Sequence, residues 1–256
     1  MPDTDTRWLE RDDGIALAYA RRTGTRPGVV FLGGYASDMS GTKATWLDER
    51  CCRRGRSFLR FDYSGHGQSG GRFEDGTIGA WTTDALAVLD SLTEGPQILV
   101  GSSMGGWIML NVALARPRRV AALVGIAAAP DFSQDIFWNL STEDQERLRR
   151  DGVIAVEEEG GGYTVTHGFI EEARRHLVMR RPIAIDVPVR LLHGMRDDSV
   201  KWSLALDLAA RLATDDVSVH LVKDGDHRLS RDQDLALLGR ALNGLEDAAS
   251  AASPSR

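Results

Sequence analysis

Two serines in this 256-residue chain have Gly-x-Ser-x-Gly spacing, and one of them stands where a hydroxyl can act as a nucleophile. Gly101-Ser102-Ser103-Met104-Gly105 directly follows the apolar run Ile98-Leu99-Val100 and opens Trp107-Ile108-Met109-Leu110-Asn111-Val112-Ala113-Leu114. Strand, sharp turn and buried helix together push the Ser103 hydroxyl out at the end of a sheet, at a strained backbone angle. Gly101 and Gly105 lack the Cβ atoms that would collide there, and Gly106 lets the helix approach its neighbours. The helix N-terminus turns N–H groups and partial positive charge towards an oxyanion formed beside the serine. The second motif, Gly67-Gln68-Ser69-Gly70-Gly71, follows the turn Tyr63-Ser64-Gly65-His66 and opens no apolar helix. Ser69 and His66 are therefore read as loop residues that shape a turn. The same stretch spells Gly65-x-Gly67-x-x-Gly70, a dinucleotide fingerprint by spacing alone. It leads into no helix terminus that would hold a phosphate, so that reading fails.

An activated serine needs a base, and the base needs an acid to orient it. In elbow enzymes these follow the nucleophile in the order Ser, Asp or Glu, His. Five histidines follow Ser103. His167 and His176 fall in a segment that interrupts the strand–helix alternation, His193 closes a strand as a structural cap, and His220 lies inside the last strand. His227 alone sits in a polar loop, Lys223-Asp224-Gly225-Asp226-His227, between the last strand and the last helix, and it is the expected base. For the acid, Leu191-Leu192-His193-Gly194 releases into Met195-Arg196-Asp197-Asp198, where Asp197 and Asp198 both qualify, with Asp224 and Asp226 weaker candidates. A second oxyanion N–H is expected from Leu32-Gly33-Gly34-Tyr35-Ala36, pairing the Tyr35 N–H with that of Met104.

The elements that must carry these residues are short apolar runs alternating with helical patterns. Val29–Leu32, Ser57–Phe61, Gln97–Val100, Ala121–Ile126 and Val189–Leu192 read as strands buried on both faces, and Val217–Val222 as an edge strand. Helices are expected over Thr83–Leu92, Met104–Ala115, Trp202–Leu212 and Asp232–Leu242. This alternation means parallel strands joined by crossover helices. Residues 1–129 and 183–245 form the expected core, and 246–256, rich in Ala and Ser, an expected disordered tail. Residues 130–182 break the alternation and read as a cap. Ser141 and Thr142 offer N-caps, Val153–Val156 and Tyr163–Thr166 flank Glu-Glu-Glu-Gly-Gly-Gly as a hairpin, and Phe169–Met179 is helical in spacing. Phe132, Phe137, Trp138, Phe169 and Met179 in this cap are candidate contacts for an apolar substrate group.

Composition excludes several alternatives. A net charge of −6 argues against a general nucleic-acid or anionic-membrane binder. No run approaches the roughly 18 apolar residues of a membrane span. The two cysteines, Cys51 and Cys52, are adjacent and build neither a disulfide framework nor a metal knuckle. No metal or organic cofactor is expected. The acidic start, Met1-Pro2-Asp3-Thr4-Asp5, resembles neither a signal nor a transit peptide, which makes a cytoplasmic location the expectation.

The residues as a set resemble the α/β-hydrolase superfamily over nearly the whole chain. Longer runs resemble the family of mitochondrial palmitoyl-protein thioesterases that also act as acyl-glucuronide esterases. These are Asp38-Met39-Ser40-Gly41-Thr42-Lys43-Ala44, Arg60-Phe61-Asp62-Tyr63-Ser64-Gly65, Gly95 to Trp107, and Leu191 to Asp198. The resemblance implies an α/β-hydrolase fold, assigns the acid to Asp197, the first aspartate after His-Gly, and the base to His227. Two departures from that family are expected: a start that does not read as a transit peptide, and Lys201, where a proline is common, after Val200. The expectation is a serine hydrolase of carboxylic esters or thioesters, whose partner is a small acyl ester, an acyl thioester or an acylated protein. A ligand receptor on the same scaffold, with slow or absent turnover, remains the alternative.

Overall fold

The computed structural model describes residues 5–156 and 162–251. Eight strands form one sheet: β1 (Arg7–Glu10), β2 (Ala16–Arg22), β3 (Thr25–Leu32), β4 (Arg56–Phe61), β5 (Gln97–Ser102), β6 (Val120–Ile126), β9 (Val189–Gly194) and β10 (Val217–Val222). Their order is β1-β2-β4-β3-β5-β6-β9-β10. From β4 to β10 every pairing is parallel, while β2 runs against both of its neighbours, β1 and β4. Crossover helices α1 (Thr42–Arg53), α2 (Ile78–Leu92), α3 (Met104–Ala115), α7 (Ser203–Ala209) and the closing α8 (Asp232–Ala251) complete the α/β-hydrolase fold.

Side-chain alternation along each strand divides the interior into two layers. Val30, Leu32, Leu59, Phe61 and Leu99 point to the face covered by α2 and α3, with Trp81, Val88, Trp107 and Ile108. Val29, Phe31, Phe58, Ile98 and Val100 point to the opposite face, where Ala44 and Leu47 of α1 and Leu238 and Leu242 of α8 cover them. This two-sided burial gives β5 its uninterrupted apolar run, and it leaves α3 buried nearly all round. Val217–Val222 is the edge strand expected from its alternation.

Three differences from the sequence reading have physical causes. β1 and β2 are strands without the continuous apolar run of a central strand, because the edge leaves β1 largely exposed. α2 begins at Ile78, five residues before the expected start, where the Thr77 side chain accepts the Ala80 N–H. The expected disordered tail does not begin at Glu246: α8 continues to Ala251, and the Glu246 side chain is wholly buried. Its carboxylate forms ion pairs with Arg50 Nη1 at 2.8 Å, Arg54 Nε at 3.1 Å and Arg56 Nε at 3.1 Å, partners contributed by α1, the turn after it and β4. Hydrophobic patterning cannot register an anchor made of charge. Residues 252–256 lie outside the described residues.

Between β6 and β9 the chain leaves the sheet and forms α4 (Phe132–Asn139), α5 (Thr142–Asp151), β7 (Val153–Val156), β8 (Tyr163–Thr166) and α6 (His167–Ala173). Ser141 caps α5, its Oγ accepting the Asp144 N–H, and Thr142 is the first helical residue. β7 and β8 pair antiparallel, although most of the expected turn, residues 157–161, lies outside the described residues. The expected helix over Phe169–Met179 is instead α6 followed by a single 3₁₀ turn at Arg174–His176. Asp131 closes the base of this segment: its two carboxylate oxygens accept the N–H groups of Val178 and Met179, each at 2.9 Å.

Candidate active site

Ser103 sits between β5 and α3 with φ 53° and ψ −119°, the left-handed region that a side chain enters only under constraint. The constraint is crowding on both sides. A Cβ on Gly105 would lie 2.1 Å from the Leu32 carbonyl oxygen, and one on Gly101 would lie 2.4 Å from that of Gly105. The turn is pinned by the Ser103 N–H, which donates to Ile126 O, and by the Ser103 carbonyl, which accepts from Gly106 and Ala129. The Gly33-Gly34 loop passes close by, since a Cβ on Gly34 would be 3.5 Å from the Ser103 Cβ. Among the described residues, the N–H groups of Tyr35 and Met104 make no hydrogen bond, and that of Met104 opens α3.

The loops after β9 and β10 meet this elbow. Gly194 permits their contact, because a Cβ there would lie 2.3 Å from the Gly225 carbonyl oxygen. His227 Nε2 is 3.1 Å from Ser103 Oγ, and His227 Nδ1 is 2.8 Å from Asp197 Oδ2. A carboxylate only accepts, so Nδ1 carries the hydrogen and Nε2 presents its lone pair to the serine hydroxyl. Asp197 Oδ1 accepts the N–H groups of Ser199 and Val200, at 2.9 and 2.8 Å. Burial works to raise the Asp197 pKa, but the contacts with His193 and His227 outweigh it and hold the carboxyl well below its usual range.

The remaining candidates lie elsewhere. Asp198 is exposed, Asp224 pairs with Arg231, and Asp226 accepts the Leu229 N–H. His167 and His176 face Glu171 and Glu172, and His220 is exposed on β10. Ser69 Oγ donates to Asp62 O at 2.7 Å and accepts the Ala18 N–H at 2.8 Å, which makes it a tie between β2 and the loop after β4. No group of three His, Cys, Asp or Glu side chains arranged to hold a metal occurs among the described residues.

The apolar candidates divide. Phe132 and Phe169 lie with their ring centroids 5.9 and 5.5 Å from that of Tyr35, which also meets Phe73, Trp81 and Tyr163. The Tyr35 hydroxyl donates to Thr164 O in β8 at 2.7 Å, so the glycine loop beside Ser103 is tied to the segment between β6 and β9. Phe137 and Trp138 do not join this cluster. Phe137 is buried against Trp138 under the guanidinium groups of Arg149 and Arg174, and Trp138 is 67% exposed. Met179 packs at the rim of the core and is held through its backbone by Asp131.

Two polar residues beside the site carry signals that spacing does not interpret. Lys43, within the Asp38–Ala44 run, reaches across from α1 and donates from Nζ to the Arg228 carbonyl at 2.6 Å, gripping the His227 loop. Burial lowers its pKa to about 8, against the opposing pull of Asp226. His193, expected to be a strand cap, does donate towards Val200 O at 3.0 Å, and it also lies 3.1 Å from Asp197 Oδ2.

Known proteins share this arrangement of elements. The family described as Serine aminopeptidase, S33 matches residues 24–146. The mitochondrial palmitoyl-protein thioesterase ABHD10 of Bos taurus is 43% identical over 247 residues, covering 95% of this chain and 81% of the relative. The chain belongs to this α/β-hydrolase family. The ABHD10 of Homo sapiens matches with the same identity and coverage. The solved mouse protein of the family superposes with a TM-score of 0.90 at 42% identity, covering 95% of this chain and 99% of that one. A putative hydrolase from Agrobacterium vitis S4 gives 0.89 at 39% identity, covering 94% and 98%. The cytoplasmic expectation is overturned, because these ABHD10 relatives are mitochondrial by name. Composition and terminal charge do not encode a compartment.

Proposed function

We propose that this family member is a serine hydrolase that cleaves carboxylic esters or thioesters through an acyl-enzyme, with Ser103, His227 and Asp197 as its triad. The observation that carries the reading is the unbroken relay from Ser103 Oγ to His227 Nε2, and from His227 Nδ1 to Asp197 Oδ2. Ser103 attacks the acyl carbon while His227 takes its proton, and the tetrahedral oxyanion settles against the N–H groups of Tyr35 and Met104. His227 then protonates the departing thiol or alcohol, and water repeats the sequence to release the acid. Asp197 holds the imidazole in the tautomer that this cycle needs. Residues 130–182 form a cap, and the acyl group lies against Phe132 and Phe169, the rings packed on the oxyanion loop. The palmitoyl-protein thioesterase relatives support a thioester among the substrates.

The deciding experiment combines labelling with burst kinetics. A fluorophosphonate should label the native chain and leave Ser103→Ala unlabelled. Matched p-nitrophenyl esters and thioesters of two to sixteen carbons should turn over beyond the first equivalent. A stall after one equivalent would make the chain a receptor, and labelling of Ser103→Ala would remove Ser103 from its role.

A further inference from the structure

Asp197 is held by more than its partner in the relay. Its side chain is wholly buried, and its two oxygens divide their work: Oδ1 takes two backbone N–H groups, while Oδ2 faces two imidazoles. His227 lies 2.8 Å away on the side of Ser103, and His193 lies 3.1 Å away on the side of β9. The groups facing His193 Nε2 are the Val200 carbonyl and the Asp197 carboxylate. Both are acceptors, so Nε2 carries a hydrogen and its N–H edge is shared between them. His193 is 1% exposed, and its Nδ1 has no hydrogen-bond partner among the described residues. A strand cap alone would need only the bond to Val200, and the further approach to Asp197 Oδ2 is unexplained by it.

We propose that His193 is a positioning residue for the relay: its Nε2–H edge shares the Asp197 Oδ2 charge with His227 and fixes the rotamer in which that oxygen faces His227. The inference rests on the triad reading above. A donor on Oδ2 spreads the carboxylate charge, so Asp197 stabilises the protonated form of His227 less than an unshared carboxylate would. The shared edge also keeps the carboxylate from turning to another partner. Asp197 Oδ1 cannot substitute for Oδ2, because the Ser199 and Val200 N–H groups already occupy it.

Amide replacements separate the two ring nitrogens. Gln at position 193 places its amide nitrogen where Nε2 stood, while Asn places its amide where Nδ1 stood and leaves Oδ2 without this donor. Other charged groups around the two loops are unchanged in both variants: Asp226, Arg228 and Asp234 around Lys43, Arg196 and Arg231 around Asp224, and the exposed Asp198. In His193→Leu and His193→Asn, the acid limb of kcat/KM should move up by about half to one pH unit, and kcat should fall about tenfold with KM little changed. His193→Gln should restore the limb to its native position. That position does not depend on how much of the enzyme is folded, so a loss of stability leaves the test intact. The proton resonance of His227 Nδ1–H, followed through the same titration, should shift with the limb.

A uniform loss at every pH, or a glutamine variant that behaves like leucine, would reduce His193 to a structural cap and overturn the inference. Full activity in Asp197→Asn would instead overturn the triad reading, which keeps the two failures apart.

Discussion

Ser103 and Ser69 share a five-residue pattern, and the difference between them lies in what each hydroxyl touches. Ser103 Oγ faces an imidazole, whereas Ser69 Oγ joins a carbonyl to a backbone N–H. Ser103→Ala should therefore lose several orders of magnitude in ester turnover with its melting midpoint unchanged, since only the nucleophile is removed. Ser69→Ala should retain activity within a few-fold and lose about 1–3 kcal/mol of stability, because the Ala18 N–H is left buried without its acceptor. Activity assays and thermal melts on the two variants check both halves. An inverse pattern would exchange their roles. The distinction was legible in sequence, because a strand and an apolar helix flank one motif and a turn flanks the other. The choice between Asp197 and Asp198 was not legible from spacing alone. Adjacent loop residues point in opposite directions, and only the buried carboxylate reaches His227.

Helices and loops act here as clamps on one another. Lys43 of α1 holds the His227 loop through Arg228 O, and its burial disfavours the charged amine. The folded chain releases that proton near pH 8, while the unfolded chain keeps it to the ordinary lysine value of about 10.4. Between these values the unfolded state binds more protons, so the contribution of Lys43 to stability grows as pH rises through the window and is level above it. Denaturant midpoints of the native chain and Lys43→Met, taken at intervals from pH 7 to 11, should show a difference that moves in favour of the native chain across that window. A constant difference would mean that the amine is not buried. At the other end of α8, Glu246 neutralises Arg50 and Arg56, both largely buried. Removing one member of such a group strands the remaining charges, so Glu246→Ala should cost about 3–5 kcal/mol. Truncation after Leu245 should cost a comparable amount, read in the same unfolding experiment, and a tail without structure would cost nothing.

At the scale of the whole molecule, the segment between β6 and β9 meets the core beside Ser103. Tyr35 joins the two, its backbone in the glycine loop beside Ser103 and its ring among Phe132, Tyr163 and Phe169. Each buried methylene of an acyl chain contributes about 0.8 kcal/mol, so kcat/KM should rise several-fold per added pair of carbons until the pocket is full. The proposed cap, bounded in size, should place the optimum at medium chain length. Phe169→Ala and Phe132→Ala should flatten the series more than they lower acetate-ester turnover. Trp138→Ala should leave the series alone, because its ring faces solvent, and Phe137→Ala should cost stability by opening the packing under Arg149 and Arg174. Equal scaling of all substrates by Phe132 and Phe169 would make these rings scaffold.

The sequence by itself determined whatever is local or periodic. Alternating apolar runs specify a sheet buried on both faces, and glycines at positions 101 and 105 specify a turn too crowded for side chains. The order of strand ends along the chain specifies where a base must come from. What only the tertiary structure decided depends on contacts between residues far apart in the chain. His227 finds Ser103 across 124 residues, Arg50 finds Glu246 across 196, and Lys43 reaches Arg228 across 185. The same holds for aromatic residues of one short helix, since Phe132 turns to Tyr35 while Phe137 turns to Arg149 and Trp138 to solvent. A charged or aromatic side chain carries no mark of its partner in the local pattern. Its role is decided by which element the packed sheet brings against it, and that is a property of the whole fold.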